Sequence, residues 1–241
     1  MTTFAHVLTE QLRRDPGRPL VTFYDHATGE RVELSVTTYA NWVAKTASLL
    51  VEEYDLERGQ GVHVDLPTHW LGPVFLGAAW TVGLVVTTPE AADAVVCGPD
   101  GLATWAGRAA DLPVLACSLR PMGVRFADPL PDGVHDFGIE VWSQPDAFVA
   151  WDPPRDDDAA LPGVSQGELW SAAAAGSLLT DGGRLLTEAN PASPPGIATF
   201  VEPLARGGSL VLVSHAEPER LDATYAAELA TARFPAQPAR S

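Results

Sequence analysis

Residues 151–168, WDPPRDDDAALPGVSQGE, divide the chain, and the runs on either side of them decide the fold class. The stretch is acidic and rich in proline, so it reads as a loop. Short β-like runs alternate with amphipathic helix-like runs both before and after it. Alternation of this kind predicts an α/β fold with mostly parallel sheets, right-handed crossovers and flanking helices. A loop that joins a strand to a helix in such a fold is a usual place for a ligand site. This loop has no Gly-rich cradle, no Lys and a single Ser.

Before the loop, Phe4, Val7, Leu8 and Leu12 recur at helical spacing, which predicts a helix over 3–14. LVTFYD and ERVELS flank His26-Ala27-Thr28-Gly29 as a β-hairpin. Ser35 or Thr37 caps the next helix. GVHVDLP is a strand, residues 68–82 a helix with Gly72-Pro73 near its start, and LVVTT a strand. AVVC, a helix near 101–110 and PVLAC continue the alternation. Residues 118–147 are less regular, with FGIEVW as an edge-strand candidate.

After the loop, ELWSAAAAGSLL is helical, GRLLTE is a strand, NPASPPG is a loop and IATFVEPLARG is a short helix. SLVLV is the clearest strand of this half, and a helix over 218–232 follows. The expected organisation is a first lobe over 1–147, a second, smaller lobe over 148–233 and a frayed tail over 234–241. One continuous domain is the alternative.

Of 241 residues, 46% are apolar, enough for a substantial core. Fifteen Lys and Arg stand against 31 Asp and Glu, for a net charge of −16. That balance argues against nucleic acid and anionic membranes as partners. Lys45 is the only lysine. Cys97 and Cys117 sit in apolar runs and read as buried, reduced thiols. The N-terminus has no apolar signal core, and no run approaches the ~18 residues of a membrane span. These features together point to a cytoplasmic protein.

Six histidines are scattered, with no H-x-x-x-H or H-E-x-x-H pattern. His63 and Asp65 alternate on one strand and so share a face, with His69 nearby. Asp156-Asp157-Asp158 lacks the glycine spacing and closing Glu of a Ca²⁺ loop and reads as solvated. Neither a nucleophile elbow nor a P-loop is present. No metal site, cofactor or catalytic residue is therefore assigned. The crevice at the strand ends leaves Asp65, His69, Glu188 and Asn190 as pocket candidates.

Several runs resemble the N-terminal part of the adenylate-forming enzymes, the superfamily of acyl-CoA synthetases, peptide-synthetase adenylation domains and luciferases. VTFYDHATGERVELSVTTYANWVAKTASLL is similar to their opening hairpin and helix. GQGVHVDLPTHW is similar to a following strand, with Thr68 where Asn is usual. FLGAAWTVGLVVTTP and VEPLARGGSLVLVS resemble later helix–strand units, and EPERLDATYAAELATARF the helix after them. A short actinobacterial group of proteins that resemble this N-terminal part is a nearer match still.

The resemblance implies that ATP phosphates are held by a T-S-G-[ST]-T-G-x-P-K-G loop. The corresponding place here is Ala159 to Ser165, AALPGVS, where that loop is missing. A family motif whose aromatic and His face the acyl pocket falls on Asn190 to Gly196, with Ala192 and Ser193 at those positions. The adenine-binding motif, the Mg²⁺-binding Glu, the ribose-binding Asp and the catalytic Lys have no counterpart. The resemblance thus implies a chain without adenylation activity. Three readings stay open: a binding or partner-regulating module, with a homodimer as a corollary; a small-molecule (nucleotide, CoA or acyl) binder or enzyme of another class using the strand-end crevice; and half of a split enzyme.

Overall fold

The computed structural model describes residues 2–235. In chain order the helices and strands are α1 (Phe4–Arg14), β1 (Pro19–Asp25), β2 (Arg31–Ser35), α2 (Val36–Glu52), β3 (Gly61–Asp65), α3 (Leu71–Val82), β4 (Val85–Val86), β5 (Ala94–Cys97), α4 (Leu102–Trp105), β6 (Val114–Ala116), β7 (Val134–Asp136) and α5 (Phe137–Glu140). Then follow β8 (Ala159–Leu161), β9 (Val164–Ser165), α6 (Gln166–Ala174), β10 (Arg184–Thr187), α7 (Ile197–Ala205), β11 (Ser209–Ser214), α8 (Pro218–Ala227) and β12 (Ala232–Phe234).

The strands form two five-stranded sheets and one small hairpin. The first sheet runs β12-β10-β11-β1-β2 and the second β4-β3-β5-β6-β7. All pairings in the second sheet are parallel, and only β1 with β2 is antiparallel in the first. The fold is the α/β arrangement that the alternation predicts.

The sheets do not follow the expected division at residue 147. β1 lies parallel beside β11, with Val21 opposite Leu210 and Phe23 opposite Leu212. The N-terminal hairpin therefore belongs to the sheet of the C-terminal half. One apolar core joins the two sheets through Phe23, Val64, Phe75, Trp80 and Leu212.

Other local differences have local causes. FGIEVW is helical: α5 runs into a 3-10 turn over Val141–Ser143. The Asp136 carboxylate accepts the Gly138 N–H at 3.0 Å and caps that helix, so the edge strand is the preceding Val134–Asp136. α8 stops at Ala227, and the expected tail begins inside β12, where Phe234 pairs with Thr187. The remainder of that tail, residues 236–241, lies outside the described residues.

α3 is the centre of the packing. Every residue of it except Thr81 is buried. Gly77 permits this, since a Cβ there would meet the Tyr39 hydroxyl at 2.2 Å and Phe4 at 2.8 Å. The Tyr39 hydroxyl donates to the Pro73 carbonyl at 2.8 Å. Gln166, wholly buried, serves two helix ends at once. Its Oε1 accepts the Phe4 N–H at the start of α1 (2.8 Å), and its Nε2 donates to the Trp80 carbonyl near the end of α3 (2.9 Å).

The structure places His69 in the core, 4% exposed, on the turn that enters α3. Its ring sits 4.8 Å from Phe23 and 5.4 Å from Trp70. Nδ1 accepts the Leu71 N–H at 3.3 Å. Burial pushes the His69 pKa down to about 4, against a smaller opposing pull from Asp25. Among the described residues, no helix is long and apolar enough to cross a membrane.

Two outcomes follow from these contacts. Gln166→Leu leaves a buried N–H and a buried C=O without partners and is expected to cost about 2–4 kcal/mol in urea unfolding. For His69, the unfolded chain takes up a proton near pH 6.5 while the folded chain resists until about pH 4. Stability is therefore lost as pH falls through that window, by about 3 kcal/mol in total. Melting temperatures from pH 7 to pH 4 should show this in the wild type and a flatter profile in His69→Asn.

Candidate functional site

A cleft of about 510 Å³ opens at the carboxyl ends of β3 and β4. Its other walls are the β8–β9 hairpin and the loop from Asn190 to Ile197. This is where a parallel α/β sheet leaves room for ligands, and the volume suits a small molecule. Val64, Leu66, Val86, Leu161, Val164 and Ile197 make most of the lining apolar. Ala192 and Ser193 also face it.

The hairpin wall is short. β8 pairs with β9 through a two-residue connection, Pro162-Gly163. Gly163 takes φ +74°, the conformation that a tight Pro-Gly turn requires. Pro162 has no N–H, so this turn has no run of amides to cradle a phosphate. The hairpin continues directly into α6, where Ser165 and Glu168 form a reciprocal capping box. Asp158 is not simply solvated. Its two oxygens accept the Arg58 Nε and Nη2 at 2.7 Å each, and Arg58 also reaches Asp152 at 3.1 Å. Burial pushes the Asp158 carboxyl up, and the Arg58 contact outweighs it, leaving a net lowering.

The four pocket candidates part company. Asp65 and Asn190 both line the cleft. Asp65 is exposed, and its Oδ2 accepts the Trp105 Nε1–H at 2.6 Å. Asn190 is spent on structure: Nδ2 donates to the Leu66 carbonyl (2.6 Å) and Oδ1 accepts the Ala192 N–H (3.0 Å). Those bonds hold the 190–197 loop against the end of β3. Glu188 pairs with Arg233 at 3.2 Å and is not part of the lining, and His69 lies in the core.

His63 joins Asp65 on the cleft, as strand alternation requires. Its Nδ1 lies 2.9 Å from the Thr87 carbonyl. A carbonyl only accepts, so Nδ1 carries the proton and Nε2 of the neutral ring is left as an acceptor. Sequence reasoning passed over Thr87, Thr88 and Pro162, which also line the cleft. The signal for the two threonines was their place just beyond β4.

Among the described residues, no Lys or Arg lines the cleft. Lys45, on α2, is engaged with the Gln144 carbonyl and Asp146. Among the described residues, no group of three or more His, Cys, Asp or Glu is arranged to hold a metal ion. A second hollow of about 500 Å³ is lined by His135 and Glu140 among others. There, His135 Nδ1 is 3.1 Å from one Glu140 oxygen and the Tyr54 hydroxyl donates to the other, so these groups satisfy one another.

The fold is shared with solved ligases. An acyl-CoA synthetase from Brucella canis superposes with a TM-score of 0.79 at 16% identity, over 97% of this chain and 47% of that one. A coronafacic acid ligase from Pectobacterium brasiliense gives 0.71 at 15%, over 93% and 48%. A benzoate CoA ligase from Burkholderia xenovorans LB400 gives 0.71 at 15%, again over 93% and 48%. The chain thus spans about half the length of these structures and has the α/β fold of that part, as the sequence resemblance implies. No family model matches the chain. A "TIGR03089 family protein" from Mycobacterium tuberculosis (strain ATCC 25618 / H37Rv) is 36% identical over 236 residues, 93% of this chain and 95% of the relative. At that identity and coverage, the chain belongs to the TIGR03089 family.

Proposed function

We propose that this chain is a non-adenylating relative of the ligases, a binding module whose ligand site is the cleft between β3, β4 and the β8–β9 hairpin. The observation that carries this reading is the Pro162-Gly163 turn. Phosphoryl and adenylyl transfer depend on positioning and on neutralising charge. A two-residue turn beside a lining without Lys or Arg supplies neither. The apolar lining instead suits the body of a small, mainly apolar molecule. The same reading keeps the chain in the cytoplasm, where two buried free thiols stay reduced.

A second reading, a partner-regulating or self-associating role, is favoured by exposed apolar side chains between Ile139 and Trp151. Trp151 is 99% exposed, Val149 91%, Ile139 55% and Trp142 52%. Exposed apolar side chains of this size become a docking surface when they meet in one patch. Light scattering across a range of concentrations separates the readings, since a homodimer held by this segment should revert to monomer in Trp151→Asp.

Two measurements test the primary reading. ATP–pyrophosphate exchange with a panel of carboxylic acids should stay at background, and turnover above it would refute the proposal. A thermal-shift screen with small apolar compounds should yield hits, each adding about 2.7 kcal/mol at ~100 times its Kd. Ser193→Trp, which fills the exposed mouth of the cleft, should abolish those shifts while leaving the unliganded melting temperature nearly unchanged.

A further inference from the structure

We infer that the cleft selects a ligand with a positively charged, hydrogen-bond-donating head, a primary amine on an apolar body. This deepens the proposed function and rests on the cleft being a ligand site. It follows from the charged and polar side chains of the lining.

Asp65 brings a carboxylate with only Oδ2 engaged, by Trp105. His63 in its neutral form brings Nε2 as an acceptor, because Nδ1 donates to the Thr87 carbonyl. Both stand on one face at the end of β3. Asn190 is held as part of the wall, with one amide N–H on the Leu66 carbonyl and its oxygen on the Ala192 N–H. Three lining residues, Pro89, Pro162 and Pro194, have no backbone N–H at all. The remaining side-chain donors are hydroxyls, which rotate and accept as readily as they donate.

The lining therefore presents side-chain acceptors and a negative charge, with no Lys or Arg among the described residues to oppose them. A carboxylate or phosphate placed there would meet Asp65 with no described Lys or Arg to neutralise it. An ammonium would find Asp65 and His63 Nε2 at the polar end and Val64, Leu66, Val86 and Ile197 along its body. Another hollow that Asp65 also lines carries Asp100 and, among the described residues, no Lys or Arg. The net charge of −16 favours approach of a cationic ligand.

The test is isothermal titration of the full chain with hexylamine, hexanol and hexanoate, three probes that share a tail and differ in head charge. Hexylamine should bind at least about tenfold more tightly than hexanoate, a gap of about 1.4 kcal/mol. Its affinity should fall as salt rises. Asp65→Asn, which keeps an oxygen for the Trp105 N–H, should weaken hexylamine about tenfold and leave hexanol unchanged. Asp65→Glu should retain the preference for the amine. Ser193→Trp should block all three probes. Equal or tighter binding of hexanoate, or amine binding indifferent to Asp65→Asn, overturns the charge assignment and leaves the cleft standing as a neutral site. Failure of all three probes to bind overturns the cleft reading along with it.

Discussion

A helix buried on every side sets the terms for this fold. α3 is apolar all round, so it has no face to offer water. Its backbone ends and side-chain polar groups must then find partners inside the protein, because an unmet buried group costs more than a hydrogen bond returns. The Pro73 carbonyl is met from α2 by Tyr39, and the Trp80 carbonyl from α6 by Gln166. The Trp80 indole N–H is met from β8 by the Ala160 carbonyl at 3.0 Å. Each partner is a different element, so satisfying α3 fixes where α2, α6 and the hairpin stand.

The second constraint is the parallel seam of β1 with β11, which closes the molecule by bringing distant stretches of chain together. The loop after β10 is thereby carried onto the end of β3. Asn190 on the Leu66 carbonyl and the Thr68 hydroxyl on the Glu188 carbonyl fasten it there. The cleft walls come from four separate stretches of sequence as a result. Their spacing is set by α3 and the seam, and no local run encodes it.

That explains which features could be read from the residues alone. α1 was legible because Phe4, Val7 and Leu8 declare one face by their spacing. The capping of α2 was legible because Ser35 stands just before an apolar run, and its Oγ accepts the Thr38 N–H. The seam was not legible, since the buried run of β1 says that it is a strand but not what it pairs with. Gln166 was invisible for the same reason: a lone amide acquires meaning only when two helix ends arrive beside it. The β8–β9 hairpin was hidden by brevity, three residues and two, within a stretch whose aspartates and prolines suggest only a loop. The strand-end rule brought Asp65, Asn190 and Glu188 to notice together, but it cannot tell a free side chain from one already paired. Arg233 and the Leu66 carbonyl make that distinction.

The charge at the hairpin follows from its length. Phosphates are held by a run of amides pointing one way and by a cation beside it. The turn here is too short for the first, and Pro162 removes one of the two N–H groups it has. Arg58 reaches the base of the hairpin, but Asp158 and Asp152 occupy its guanidinium from two sides. An anion bound there would have to displace a bidentate carboxylate, the strongest geometry an arginine offers. The short turn and the occupied arginine therefore act in the same direction. The aspartates that divide the sequence hold the hairpin in place, and in doing so they use the cation that a phosphate would need.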